Sequence, residues 1–195
     1  MKPINSAALV LAAGSSSRLG HPKQLVSYKG TTLLRYTLDQ IVDNFTPTYV
    51  LLGAYSEQIQ KEVNLSDCKV LVFENWQEGM GSTIAFGTKE ICKQQPQLQN
   101  LLISVADQPK LSSNFIEELL NMHSQQGKSI TASHYSNALG APTLFSNAHF
   151  DALKKLSGET GAKKIIQENR STLASVDFPG GEMDIDTHED LKILG

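Results

Sequence analysis

The sequence predicts an α/β protein: a doubly wound, mostly parallel central sheet with helices on both faces and right-handed crossovers. Three observations carry this. Four apolar runs, residues 7–12 (AALVLA), 49–52 (YVLL), 70–73 (VLVF) and 101–106 (LLISVA), are too short for helices and show no alternation, as expected for strands buried on both faces. Helical spacing and short connections fill the intervals between them. Three of the runs stop at Gly14, Gly53 and Asp107, at the strand ends where open α/β sheets bind their ligands.

Taken in order, the first run follows Lys2, and a basic residue before an apolar stretch is the outline of a secretory leader. Seven apolar residues (7–13), with Pro3 and Asn5 ahead of them, are too little for one. No stretch nears the roughly 18 apolar residues that span a bilayer, so a cytoplasmic chain is expected. Leu34, Leu38, Ile41, Val42 and Phe45 recur at spacings of three and four and predict the first long helix. Residues 82–92 (STIAFGTKEIC) predict another. Phe115, Ile116, Leu119, Leu120 and His123 predict a third, with Asn114 and Glu117 as its capping box. Residues 129–145 are dense in small and β-type side chains, which predicts an antiparallel or mixed part of the sheet. Thr187 with Asp190 caps a last short helix. With no repeat and no linker, one domain spanning 1–195 is expected.

The composition narrows the function. Apolar residues are 40% of 195, enough for one core and too many for a disordered chain. Seventeen basic against twenty acidic side chains, a net charge of −3, argue against a nucleic-acid binder, which needs a basic face. A local patch for one phosphorylated ligand remains compatible with that balance. Cys68 and Cys92 form neither a zinc pattern nor a disulfide framework, which suits a reducing compartment and structural thiols. His21, His123, His134, His149 and His188 make no metal-binding spacing.

The residues just after the apolar runs carry the chemistry. Residues 13–23 (AGSSSRLGHPK) form a glycine- and serine-rich loop with two cations, Arg18 and Lys23. Backbone N–H groups freed by glycine, serine donors and fixed positive charge all suit a triphosphate. Neither GxGxxG nor GxxxxGK[ST] fits, and a turn with solvated Arg18 and Lys23 is the competing reading. Asp107 ends a strand and is followed by Gln108-Pro109, so its carboxylate can hold a divalent cation on phosphate oxygens or act only as a turn aspartate. In Asp184-Ile185-Asp186-Thr187, alternation puts both carboxylates on one side and Ile185 in the core. Trp76 suits stacking on a base and anchoring its loop equally well. A cationic glycine loop with two strand-end carboxylates is what metal-assisted transfer at a nucleotide phosphate requires.

The pattern Leu11-Ala12-Ala13-Gly14-x-Ser16-x-Arg18-x-Gly20-x-x-Lys23 resembles the signature loop of the nucleotidyltransferases that include molybdenum cofactor cytidylyltransferase. The likeness continues in order through Gly30-x-x-Leu33-Leu34, Asn75-Trp76-x-x-Gly79-Met80-x-Ser82, Val105-Ala106-Asp107-Gln108-Pro109 and Gly140-Ala141-Pro142-Thr143-Leu144-Phe145. It ends with Gly158-Glu159-Thr160-Gly161-Ala162-Lys163 and Asp184-Ile185-Asp186-Thr187. The resemblance implies a Rossmann-like nucleotidyltransferase fold, three-layer α/β/α, binding an NTP with Mg²⁺ or Mn²⁺. It implies a nucleotide site made of Leu11, Ala12, Ala13, Gly14, Ser15, Ser16, Arg18, Lys23, Asn75, Gly79, Met80 and Ser82. Asp107 and Asp186 would hold the metal, and Lys23, Arg18 and Asp107 would be catalytic.

Glu159 stands where the family usually has aspartate, and Ala141 where some members have histidine; both bear on the acceptor more than on the chemistry. Leu-Ala-Ala-Gly in place of Leu-Ala-Gly-Gly favours CTP over GTP. The implied acceptor is a phosphate-bearing small molecule, molybdopterin foremost, with a molybdoenzyme or its maturation factor as a transient partner. Another cytidylyl- or sugar-nucleotide transferase, and a nucleotide-binding accessory protein, are the alternatives. The acceptor pocket is expected within residues 133–164.

Overall fold

The computed structural model describes residues 5–194. Its elements are β1 (Ser6–Ala12), the hairpin β2 (Ser27–Tyr28) and β3 (Thr31–Thr32), α1 (Leu33–Asp39), β4 (Thr48–Leu52), α2 (Ser56–Glu62) and β5 (Lys69–Val72). There follow α3 (Met80–Gln94), β6 (Asn100–Val105), α4 (Ser113–Gln126), β7 (Ile130–Tyr135), β8 (Ala138–Ser146), α5 (Phe150–Leu153), α6 (Lys163–Glu168) and β9 (Ala174–Asp177). A seven-stranded sheet runs in the order β5-β4-β1-β6-β8-β7-β9. All four apolar runs are parallel neighbours in it: β1 pairs with β4 and β6, and β4 with β5. The expected mixed part is the other half, where β8 lies antiparallel to both β6 and β7 while β9 runs parallel to β7. Ser136 and Asn137, both at positive φ, turn the β7–β8 hairpin.

Alternation along the strands separates two apolar layers. Ala8, Val10 and Ala12 face Leu34, Leu38, Ile59, Ile116 and Leu119, the cluster beneath α1, α2 and α4. Ala7, Leu9 and Leu11 face Ile84, Ile91, Phe150, Ile165 and Ile166 on α3, α5 and α6. The three-layer α/β/α architecture follows. On its side of the sheet α3 comes close because Gly87 carries no side chain: a Cβ there would stand 2.7 Å from Leu9 and 2.8 Å from Leu51.

Three local expectations shift. The first helix ends at Asp39, and hydrogen-bonded turns carry the apolar period onward to bury Ile41 and Phe45. The α4 cap is Ser112, whose side chain accepts from Phe115 N at 3.3 Å, and not Asn114, which lies inside the helix. The helix read from residue 82 starts at Met80. Among the described residues no helix is long and apolar enough to cross a membrane.

Candidate active site

The loop after β1 is pinned from within. Leu19 N and Gly20 N donate to Ser16 O at 2.9 and 3.2 Å, while Leu19 sinks into a small cluster with Tyr28, Leu33 and Ile185. The side chain of Gln24, fully buried, donates through Nε2 to Ala12 O (2.8 Å) and Gly14 O (3.2 Å), tying the loop's ascending limb to its exit. Lys23 N donates to Ser16 Oγ at 3.0 Å, which fixes where the lysine is rooted.

Asp107 stands two residues beyond β6. Its neighbour Gln108 is buried and donates through Nε2 to Gly181 O (2.7 Å) and Ala141 O (3.3 Å), so this corner is laced to two other segments. Ile185 N donates to Asp107 O at 3.2 Å, and the fully buried Ile185 side chain holds the segment in place. This brings Asp186 alongside Asp107 without any strand ladder. Asp190 completes the turn by accepting from Asp186 N (3.0 Å), Thr187 N (2.7 Å) and Thr187 Oγ1 (2.9 Å), the cap expected of Thr187 and Asp190.

The two carboxylates converge on one ammonium. Lys23 Nζ donates to Asp107 Oδ2 at 2.5 Å and to Asp186 Oδ1 at 2.7 Å. Burial alone would lower the lysine pKa, but the two carboxylates outweigh it and hold Lys23 above its ordinary 10.5. Arg18, largely in solvent, reaches Asp186 Oδ2 only at 3.6 Å. Asp107 Oδ1 is buried and has no hydrogen-bond partner among the described residues. Nearby, partial burial first and then the Asp107 charge push the Asp184 carboxyl up to about 7.

Two cavities open at the carboxyl ends of the strands. The first, about 400 Å³, is walled by the loop from Leu11 to Ser15, by Lys23 and Gln24, and by Trp76, Gly79, Met80 and Asp107. The second, about 480 Å³, has an apolar floor of Ile84, Ile103, Val105 and Phe145 and a polar rim that includes Gln108, Tyr135, Lys163 and Asp184. Leu11, Met80, Val105, Asp107 and Glu159 line both. Met80 and Glu159, which line both, belong to a seam between the start of α3 and residues 157–160: Gly81 N donates to Gly158 O (2.7 Å), and Gly158 N to Ser82 Oγ (3.1 Å). Side chains at Gly79 and Gly81 would collide with backbone atoms of residues 157–160.

Of the residues singled out from the sequence, Leu11, Ala12, Ala13, Gly14, Ser15, Lys23, Gly79, Met80 and Asp107 line the first cavity. Ser16, Arg18, Asn75, Ser82 and Asp186 do not. Ser16 is occupied with Lys23 N, Arg18 points outward, Asn75 is exposed ahead of a short 3-10 turn, and Ser82 holds the seam. Trp76 both lines the cavity and packs on Gly53. Gln24 was not singled out, because nothing in a lone glutamine after a lysine announces that it will capture two loop carbonyls. Gln108 was visible only within its Asp-Gln-Pro block.

The family model of the MobA-like NTP transferase domain matches residues 8–173. The chain is 28% identical to a curated protein named nicotine blue oxidoreductase, from Paenarthrobacter nicotinovorans, over 95% of this chain and 94% of that one. The crystal structure of Rv0371c from Mycobacterium tuberculosis H37Rv superposes with a TM-score of 0.85 at 26% identity, covering 100% of this chain and 98% of that one. A complex of Rv0371c with manganese superposes with a TM-score of 0.80 at 24% identity, covering 97% of each chain.

Proposed function

Since the chain belongs to the MobA-like NTP transferase domain family, and is a nucleotidyltransferase by that membership, we propose that it transfers CMP from CTP to a phosphate-bearing acceptor, molybdopterin foremost. Pyrophosphate is released. One observation carries the reading: Asp107, paired with Lys23 beside Asp186, stands in the walls of both cavities. A donor in the first cavity and an acceptor in the second would meet at that carboxylate.

In this reading an acceptor phosphate oxygen attacks the α-phosphorus in line, and the bond to the bridging oxygen of the β-phosphate breaks. A phosphate monoester is already ionised at neutral pH, so no general base is needed. What remains for the protein is orientation and neutralisation of charge. The loop from Leu11 to Ser15, with Gly79 and Met80 opposite, would hold the nucleotide, and Lys23 would meet its phosphates. Arg18 would act from the outside of the loop. Ala13, which lines the first cavity, stands where the resemblance puts glycine in guanylyl-transferring relatives, which favours CTP over GTP. The apolar floor and polar rim of the second cavity suit a flat, partly polar ring system, and its lining from Tyr135 to Lys163 falls within the segment expected to form the acceptor pocket.

The donor set also fits a divalent cation. Two carboxylates that converge, one of them with a buried oxygen lacking a partner, are the hard oxygen ligands Mg²⁺ takes when substrate phosphates complete its shell. Asp107 and Asp186 would hold it, and bound there it would offset charge on the phosphate oxygens; Mn²⁺ would substitute, in line with the manganese complex of Rv0371c. A second reading, a redox reaction in the same cleft, draws on the relative named as an oxidoreductase. The carboxylate pair favours the first, because hydride transfer develops no phosphate charge to neutralise.

The decisive experiment incubates the purified protein with Mg²⁺, molybdopterin and each of the four NTPs, and measures pyrophosphate. Release with CTP above the other three is expected. No release with any NTP would sink the transfer to this acceptor, and reduction of a dye by NADH or NADPH in the same preparation would favour the redox reading.

A further inference from the structure

Lys23 is rooted in the loop that walls the first cavity, yet its ammonium lies between Asp107 Oδ2 at 2.5 Å and Asp186 Oδ1 at 2.7 Å. We propose that Lys23 is an internal stand-in for the divalent cation in the free protein. Cation and nucleotide then favour each other's entry, because the nucleotide phosphates offer the displaced ammonium more negative charge than Glu159, the other carboxylate lining the first cavity. The inference rests on the reading of Asp107 and Asp186 as cation ligands.

Three features support it. The carboxylates arrive from separate turns and face one another, an arrangement that like-charge repulsion disfavours unless a cation lies between them. Lys23 supplies one positive charge against two negative ones and leaves Asp107 Oδ1 buried without a partner; a divalent ion offers more charge and more coordination sites than an ammonium. Finally, the backbone of Lys23 is held independently of its ammonium, through its N on Ser16 Oγ. The flexible four-carbon stem lies along the first cavity, so Nζ can turn from the carboxylates to a phosphate there while the loop stays in place. A bare cation must expel the ammonium into a cavity that offers it, among its lining residues, at most the single charge of Glu159. A cation that arrives with a triphosphate meets no such penalty, and by linkage each ligand then tightens the other equally.

The test uses Mn²⁺ alone as the probe, its free concentration read by electron paramagnetic resonance, with and without a non-hydrolysable CTP analogue. Wild type should bind Mn²⁺ weakly, and the analogue should tighten it. Lys23→Met should bind Mn²⁺ without nucleotide about tenfold more tightly than wild type, a factor within the usual range for coupled sites, and the analogue's effect on Mn²⁺ should shrink. Equal Mn²⁺ affinity in Lys23→Met and wild type would overturn the inference. Absence of Mn²⁺ binding in both proteins, even with the analogue, would overturn the cation-ligand reading beneath it.

A second measurement needs no variant, so it stands even if Lys23→Met does not fold. Amine acylation mapped by mass spectrometry should find Lys23 protected in the free protein, more reactive with saturating Mg²⁺ alone, and protected again with Mg²⁺ and the analogue. Unchanged Lys23 reactivity on adding Mg²⁺ would count against the exchange.

Discussion

Asp107→Ala removes one of the two carboxylates that Lys23 bridges and one wall residue common to both cavities. Pyrophosphate release from CTP and acceptor should fall by about two orders of magnitude, the scale of a lost electrostatic stabiliser; a near-normal rate would take Asp107 out of the reaction. Asp107 and Lys23 were marked in the sequence because one follows an apolar run and the other closes a glycine loop; Asp186 was marked by its alternation with Asp184 about Ile185, although no strand forms there. Gln24 was not legible: its part is played by a neutral amide whose partners, Ala12 O and Gly14 O, are chosen only when the chain turns back on itself. Cys68 illustrates the opposite case, a reactive residue type that the fold silences. Burial, then the negative charge of Asp67, pushes its thiol up to about 12, leaving about one part in ten thousand as thiolate at pH 8. Iodoacetamide at pH 8 should therefore leave Cys68 unmodified in the folded protein and alkylate it in urea, and rapid labelling of the native state would contradict this.

At the scale of elements, β1, β4 and β6 were legible because burial on both faces writes a continuous apolar run; β5, read the same way, is instead an edge strand, with Lys69 and Val72 exposed and Val70 and Leu71 half-buried. Helix α2 went unread because Ile59 is its only fully buried residue and one buried position makes no period. The seam between the start of α3 and residues 157–160 was unreadable for a different reason: it depends on glycines packed against backbone, a contact with no pattern along the chain. It can be tested by Gly81→Ala, whose new Cβ would stand 2.6 Å from Thr160 O and 2.7 Å from Ser157 O. The loop must retreat, so urea unfolding should show a loss of about 1–3 kcal/mol, the usual cost of overpacking, together with a raised KM for the nucleotide. An unchanged midpoint and KM would mean that the seam yields freely.

For the whole molecule, His123 ties the helical layer to the sheet. From α4, its Nε2 is 3.1 Å from Asn100 Oδ1 on β6, and its Nδ1 is 2.9 Å from Thr131 Oγ1 on β7. Burial lowers its pKa below the ordinary 6.5, so on acidification the unfolded chain takes up the proton before the folded one. Its stabilisation is therefore complete above about pH 6.5 and is lost as pH falls through that value toward the lower folded pKa. The destabilisation caused by His123→Ala, measured by urea unfolding, should be largest at pH 7.5 and shrink by pH 5; a cost independent of pH would overturn the assignment.

Strand β8, antiparallel between β6 and β7, divides the molecule unevenly. On one side lie the parallel strands and the loop that walls the first cavity; on the other, the hairpin and α6, which line much of the second. Such a boundary permits exchange of parts. A chimera that takes residues 133–164 from a relative with a different acceptor, but keeps Gly158 and Gly161 so that the graft still seats on α3, should inherit the relative's acceptor while retaining this chain's choice of nucleotide. On the proposed reading, the reversal of one strand marks where a new acceptor could be acquired by recombination with the first cavity left intact.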